Sequence, residues 1–326
     1  MDKEASSVGY RKGFMKLIKA TSITEGIIIL IYLVFFLLLS IFVKGFFTTS
    51  NLSNLVRQTS INGVIALGMT FVIISGGIDL SVGSVVAFAG MVAAVLMAQL
   101  GLSAPISVIV GIISGTLVGV INGVLIYDFK IPPFIATLGT MTIFRGATML
   151  ISGARMISGM PKSFLNIAQT KVFGQPFLFI IWLVMIIVSA FILSMMRFGR
   201  NIFAMGSSQE AARLSGINIR WNIYMVYGFA SLMSSIAGIM LISRLANGVP
   251  TAGMGYELDA IAAAVIGGAS LMGGEGSIFG TVIGAMLMST LRQGGNLMGI
   301  NPFILQILVG ILILVAVTID QIKKQR

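Results

Sequence analysis

The sequence predicts an all-α, polytopic membrane protein of about ten transmembrane helices, and three observations predict it. Of the 326 residues, 57% are hydrophobic and only 10% charged, where a soluble domain carries about 25% charged residues. Apolar runs long enough to cross a bilayer, about 18 residues or more, recur along the chain. The basic residues behind the net charge of +11 sit mostly between those runs. There they report orientation in a membrane, not a nucleic-acid surface. A water-soluble fold of this length would lack the charge to cover its surface.

Composition also excludes chemistry. The chain has no cysteine and no histidine, which removes disulfides, thiol chemistry, histidine acid–base catalysis and the commonest zinc ligand. No metal site or cofactor is expected. No G-x-x-x-x-G-K-[ST] phosphate loop occurs, so any ATP that drives the protein is bound by a partner chain.

The spans follow in order. Residues 1–25 are polar and basic, and the run GIIILIYLVFFLLLSIFV then covers Gly26 to Val43. That run is too long for a signal peptide and lacks a small-x-small cleavage site after it, so it reads as a retained first span. Further spans are expected at Ser60–Ile74, Ser84–Leu100, Pro105–Tyr127, Phe134–Ile151, Pro176–Met196, Ile223–Leu245, Leu258–Gly268, Ile278–Leu291 and Phe303–Ile319. The second, eighth and ninth are short against the usual 20 or so residues. They either extend into flanking loops or break at membrane depth.

Lysine and arginine set the orientation. With ten spans, one side collects Lys3, Arg11, Lys12, Lys16, Lys19, Lys130, Arg197, Arg200, Arg213, Arg220, Lys323, Lys324 and Arg326, thirteen of the 21 basic residues. The other side holds five: Lys44, Arg57, Arg155, Lys162 and Lys171. Both termini and the 197–222 loop are therefore expected in the cytoplasm. The chain divides into a cytoplasmic segment 1–25, one transmembrane domain 26–319 and a cytoplasmic tail 320–326. The longest external loop, 152–175, is too short for a folded soluble domain.

Three features inside this frame bear on function. Gly111, Gly115, Gly119 and Gly123 repeat every four residues and form a glycine ridge, which predicts close contact with another helix or, alternatively, the wall of a solute path. The segment SGGIDLSVGS, 75–84, interrupts an apolar stretch. Gly76, Gly77, Asp79 and Ser81 in it either line a binding region, as broken helices do in transporters, or form a cytoplasmic turn with Asp79 capping the next span. A similar GGASLMGGEGS at 267–277 suggests an internal repeat. Asn62, Ala66 and Thr70 give the second span a small, partly polar face. It suits either a solute path or hydrogen bonds between helices.

The loop RFGRNIFAMGSSQEAARLSGINIRWN, 197–222, carries most. Ser207 and Glu210 have the spacing of a capping box. Ala211, Ala212, Arg213 and Leu214 favour helix, and Gly216 can end it in a left-handed conformation. A short rigid helix in a cytoplasmic loop can pass force from a docked partner to the spans.

Glu210, Ala211, Ala212 and Gly216 resemble the E-A-A…G loop of ABC import permeases. The blocks NLSNLVRQTSINGVIALGMTFVIISGGIDLSVGS (51–84), PPFIATLGTMTIFRG (132–146) and PTAGMGYELDAIAAAVIGGASLMGGEGSIFGTVIGA (250–285) resemble the ribose-type permeases of carbohydrate ABC importers. The likeness runs from about residue 45 to the C-terminus. It implies a fold like that of the cobalamin-type importers, with about ten helices. It implies two permease copies forming the path, and an ATPase docked on the coupling loop through Glu210, Ala211, Ala212 and Gly216, to which the local reading of the loop adds Ser207 and Arg213. It implies an extracytoplasmic solute-binding protein and a bacterial cytoplasmic membrane.

Two other classes stand against this reading. An ion-coupled carrier needs buried ionisable groups, and only Asp79, Glu257 and Asp259 lie near spans besides the arginines. Glu257 and Asp259 are expected to be solvated at an external mouth. A membrane enzyme lacks the residues for its chemistry. Among importer permeases, the SGGIDLSVGS and GYELDAIAA blocks favour sugars over branched-chain amino acids. The sequence does not name the solute; pentoses, hexoses, nucleosides and furanosides remain open.

Overall fold

A computed structural model describes residues 26–324. The expected cytoplasmic segment 1–25 with its five basic residues, Arg326, and the side chains of Lys323 and Lys324 lie outside the described residues.

The described residues are helical almost throughout. Helix α1 covers Gly26–Phe42. It is followed by α2 (Thr49–Ile74), α3 (Val82–Ala98), α4 (Ala104–Tyr127), α5 (Pro133–Ser152), α6 (Lys162–Gln169), a β-hairpin of β1 (Lys171–Val172) and β2 (Gln175–Pro176), α7 (Phe177–Met195), α8 (Arg197–Ser207), α9 (Gln209–Leu214), α10 (Ile219–Leu245), α11 (Tyr256–Ile266), α12 (Ile278–Leu297) and α13 (Pro302–Lys324). Among the described residues, six helices (α2, α4, α5, α7, α10 and α13) are long and apolar enough to cross a membrane; α1 and α3 are shorter apolar helices.

Local chemistry sets the ends. Prolines open α4 and α5 at positions where a missing N–H costs nothing. Gly153 closes α5 with φ +58. The side chains of Thr48, Asn218 and Ser277 cap α2, α10 and α12.

The helices form an inner and an outer set. α2 and α10 are the axis and are buried over most of their length, with α3, α11 and α12 against them. α1, α4, α5, α7 and α13 surround them and turn large apolar side chains outward, among them Leu30, Ile41, Ile109, Ile143, Ile187 and Leu314. With no water to satisfy a backbone in hydrocarbon, such a surface has to be helical.

The four glycines of α4 face α10 and α3. A Cβ on Gly115 would overlap the Ser235 hydroxyl, and one on Gly119 would overlap the Tyr227 carbonyl. On Gly111 and Gly123 it would come within 2.7 and 2.8 Å of Ala89 and Tyr224 backbone atoms. Hydrogen side chains alone allow this approach.

Two sequence expectations change. α2 begins at Thr49, eleven residues before Ser60, so Arg57 lies within a helix and not in an external loop. The polar stretch NLSNLVRQTS reads as loop, but protein covers its polar face. Of the three short spans, only α11 stays short, at 11 residues.

Candidate functional site

Two regions concentrate the chemistry, one at each end of α11.

The first is a backbone junction. α2 ends at Ile74, α8 ends at Gly206 and Ser207, and the glycine-rich loop 267–277 joins α11 to α12. These three segments meet. Gly274 N–H donates to the Ile74 carbonyl at 2.8 Å. A Cβ on Gly206 would overlap that same carbonyl, and one on Gly273 would stand 2.7 Å from the Gly206 oxygen and 3.0 Å from the Gly76 Cα. Glycine is required here because backbone touches backbone. The loop is also tied to the end of α13, where the Ser270 hydroxyl donates to Asp320 at 2.9 Å.

From Gly76 the chain does not run out as a solvated turn. Gly76 lies against Gly273, beyond the C-terminal end of α11, while Gly83 lies against Gly253 and Glu257 at its N-terminal end. The segment between them therefore runs the length of α11, about 16 Å at 1.5 Å per residue. Beyond the exposed Gly76 it is enclosed by protein, with Ile78 and Leu80 half-buried and Asp79 and Ser81 at 0% exposure. Its polar groups are met by neighbours. The Ser81 N–H and hydroxyl donate to Asp79 Oδ1 at 2.8 and 2.5 Å. The Asn122 amide of α4 donates to the Ser81 hydroxyl at 2.9 Å, and the Thr140 hydroxyl of α5 donates to Asn122 Oδ1 at 2.7 Å. Asp79 thus closes a turn onto Ser81 instead of capping α3. Its Oδ2 and the buried Tyr227 hydroxyl have no partner. The break between α2 and α3 therefore lies within the bundle, with Asp79 and Ser81 enclosed by protein. Non-helical backbone at depth needs this cover of protein.

α8 and α9 sit on the junction. α9 is a six-residue helix whose cap is Ser208, accepting from Ala211 N–H at 3.2 Å. The expected Ser207–Glu210 box is thus shifted by one residue. Ser207 belongs to the last turn of α8, and its hydroxyl donates to the Phe203 carbonyl at 3.0 Å. With the cap at Ser208, Glu210 falls one position short of closing a box and points free into solvent with Arg213. Ala212 is buried against the bundle and Leu214 is 79% exposed. Gly216 holds φ +81 and ends the helix. Behind α9 a recess of about 330 Å³ opens between Phe198 and Asn201 of α8 and Trp221 and Met225 of α10.

On α2, Ala66 and Thr70 are wholly buried. Thr70 bonds Thr281 of α12 hydroxyl to hydroxyl at 2.7 Å, a link between helices. Asn62, one turn before Ala66, has neither end of its buried amide paired.

The second region was missed by sequence reasoning. Around the N-terminal end of α11, Asp259 is 2% exposed and pairs with Arg292 of α12 at 2.6 Å. Glu257 bonds its own loop at Gly255 N–H, 3.2 Å, and interacts by charge with Arg145 of α5 and with Asp259. Arg145 donates to the Ala252 carbonyl at 2.7 Å. Tyr256 lies in the field of Arg244, Asp259 and Arg292, and Arg244 in that of Arg57. Asp259 is therefore not solvated at a mouth, and Glu257 is half-buried with its Oε2 sealed against α3. Four atoms stay buried and unpaired: Glu257 Oε2, Asp259 Oδ2, Arg57 Nε and Arg292 Nε. Each such atom costs about 1–3 kcal/mol, more when charged. The only available signal was three arginines inside apolar spans. Among the described residues, no group of three or more His, Cys, Asp or Glu side chains could hold a metal ion.

Residues 51–317 match the family described as branched-chain amino acid transport system / permease component. The chain is 42% identical to the ribose import permease protein of Bacillus subtilis, over 91% of each chain. It is 37% identical to the D-allose transport system permease protein of Escherichia coli, over 85% of each. It is also 37% identical to the L-arabinose transport system permease protein of the same organism, over 91% of this chain and 90% of that one. No solved structure matches the chain.

Proposed function

Because the chain belongs to the branched-chain amino acid transport system / permease component family, and within it to the ribose-type permeases, we propose that it is the membrane subunit of an ABC importer that carries a sugar across the bacterial inner membrane. The relatives are named for ribose, allose and arabinose, which supports a monosaccharide over an amino acid. An ATPase subunit and an extracytoplasmic binding protein complete the system, and a second copy of this chain is the proposed other half of the path.

The single observation that carries the mechanism is the seat of α9. A helix exposed on one side is joined through α8 to a junction where backbone meets backbone. Docking of the ATPase on Glu210, Ala211, Arg213 and Leu214, with Ala212 and Gly216 fixing the helix, moves α8. The junction has no flexible side chain to absorb that motion. It passes to the re-entrant segment through Gly76 and to α11 and α12 through Gly273 and Gly274. Gly76, Gly77, Asp79 and Ser81, with Asn62, are the proposed lining of the path. Ala66 and Thr70 are assigned to the contact between α2 and α12, and Gly111, Gly115, Gly119 and Gly123 to packing.

For the topology, ten apolar helices cross the membrane, α11 only part of the way, in the arrangement of the cobalamin-type permeases. The single membrane domain is 26–319, with 1–25, the 197–222 loop and 320–326 in the cytoplasm. The end of α13 tied to Ser270 and the exposed Arg197, Arg200, Arg213 and Arg220 fall on one side, which supports this orientation. No cofactor is assigned to the chain itself; ATP belongs to the partner. The test is uptake of labelled ribose, allose and arabinose by cells that express the chain with its ATPase and binding protein. It is paired with cysteine labelling at position 210 in this cysteine-free chain. Uptake of at least one sugar and labelling only from the cytoplasmic side are expected. External labelling at 210 overturns the orientation.

A further inference from the structure

We propose that the charged cluster at the N-terminal end of α11 is a solute station of the permease itself, built for a neutral molecule carrying adjacent hydroxyl groups; the proposal rests on the sugar reading above. The argument is one of matching. Two buried acceptors, Glu257 Oε2 and Asp259 Oδ2, and two buried donors, Arg57 Nε and Arg292 Nε, have no partner. An anion would satisfy the donors and face two carboxylates. A cation would satisfy the carboxylates and face Arg57, Arg145, Arg244 and Arg292. A hydroxyl both donates and accepts, so a diol meets both kinds of orphan at once.

The surroundings fit this use. Gly83, Gly253 and Gly255 supply backbone without side chains where α3 meets α11, and Gly253 and Gly255 both hold positive φ. The guanidinium groups come from four different helices, α2, α5, α10 and α12. A packing role would be met by apolar residues at less cost. The cluster lies about 16 Å, the length of α11, from the junction on which α9 sits. It therefore lies about midway across a hydrocarbon core of about 30 Å, beyond the junction as seen from the ATPase. All four orphaned atoms are sealed from solvent, so the structure holds the station closed, and it opens when the helices around it part.

The test is ligand-observed saturation-transfer NMR on the purified chain in lipid nanodiscs, with D-ribose, D-allose and L-arabinose as neutral probes and ribose 5-phosphate as the anionic one. Wild type gives a signal with at least one neutral sugar and a weaker one with the phosphate. Glu257→Gln and Arg57→Gln each reduce the sugar signal at least threefold, while Arg155→Gln, exposed at the same end and outside the cluster, leaves it unchanged. Two variants are used so that misfolding of one, seen by size exclusion, leaves the other decisive. No signal with any of the three sugars overturns the proposal, as does a stronger signal with the phosphate or full binding in both variants. Uptake in cells separates this from the functional reading. Sugar uptake that both variants leave untouched removes the station and keeps the importer. Binding without uptake of any sugar removes the importer reading and keeps the station.

Discussion

The two ends of α11 are built on opposite terms. At its C-terminal end, glycines let three segments touch through their backbones. At its N-terminal end, arginines and carboxylates from five helices converge, and four of their polar atoms are left unpaired. The first arrangement is stiff: atoms with no rotatable side chain can only move together. The second is poised, because groups that lack partners in one conformation gain by meeting water or solute in another. Close packing suits transmission, and unmet hydrogen bonds suit reception.

The largest expected effect lies at the charged end. Arg292→Gln leaves Asp259 buried and uncompensated and should cost about 3–5 kcal/mol, read as a lowered melting temperature in detergent. Adding Asp259→Asn to it should restore part of that loss. If the double variant is no better than the single one, the two side chains do not form the pair on which the comparison rests.

At the glycine end, Gly206→Val drives carbon into the Ile74 carbonyl and the Gly274 amide. Overpacking of this kind costs about 1–3 kcal/mol, and here no side chain can swing aside. The variant should lose stability and transport together. Unchanged stability would mean that the junction gives way, and the contrast between the two ends would fall.

Glu210→Gln tests what the junction receives. The side chain is exposed and closes no capping box, so its loss should leave fold and insertion intact. If its charge meets a basic group on the ATPase, removal costs about 2 kcal/mol or more, a roughly 30-fold weaker association. Gly216→Val should reach the same result through the backbone, since a β-branched residue resists φ +81. Normal co-purification of the ATPase with both variants would show that coupling enters elsewhere.

The smallest effect is the sharpest on geometry. Ser208→Ala removes the cap of α9 and costs about 1 kcal/mol, which should speed amide exchange over 209–214 about fivefold. Ser207→Ala removes only a bond from the hydroxyl to the Phe203 carbonyl and should leave that exchange within a factor of two or so. The reverse order would return the cap to Ser207.

Much of the helical layout was legible, because each expected apolar run overlaps a helix. What failed to show in the sequence failed for physical reasons. NLSNLVRQTS looked like loop because polarity usually means water; here Asn51 bonds Gln293 of α12 at 2.5 Å and Arg57 faces the cluster. α8 was hidden by its two glycines, which discourage helix in isolation, and by its arginines, which interrupt the apolar run. The cap was misplaced by one residue because adjacent serines offer the same hydroxyl, and only the extended backbone at Ser208, φ −163, distinguishes them. Of the site, the E-A-A…G helix, the left-handed Gly216 and the two glycine breaks could be read locally. That the breaks meet each other and Gly206 could not. Nor could the pairing of Asp259 with Arg292, because neither has a partner until α11 and α12 pack.

The burial of α2 has a consequence for how the protein is made. It is one of the least apolar of the six long helices, and it carries Asn62 and Thr70 buried in the bundle and a half-buried Arg57 nearer its N-terminal end. What shields those groups is α10, α11 and α12, all encoded more than 140 residues later. On leaving the ribosome, α2 enters the bilayer with its polar face uncovered and the chain still incomplete. Its residence there depends on α1 and then α7 packed against it until α10 arrives. The helix at the centre of the finished protein is thus the one whose placement is settled last, and a chain halted before Leu245 should go to the membrane proteases instead of persisting as a half-built permease.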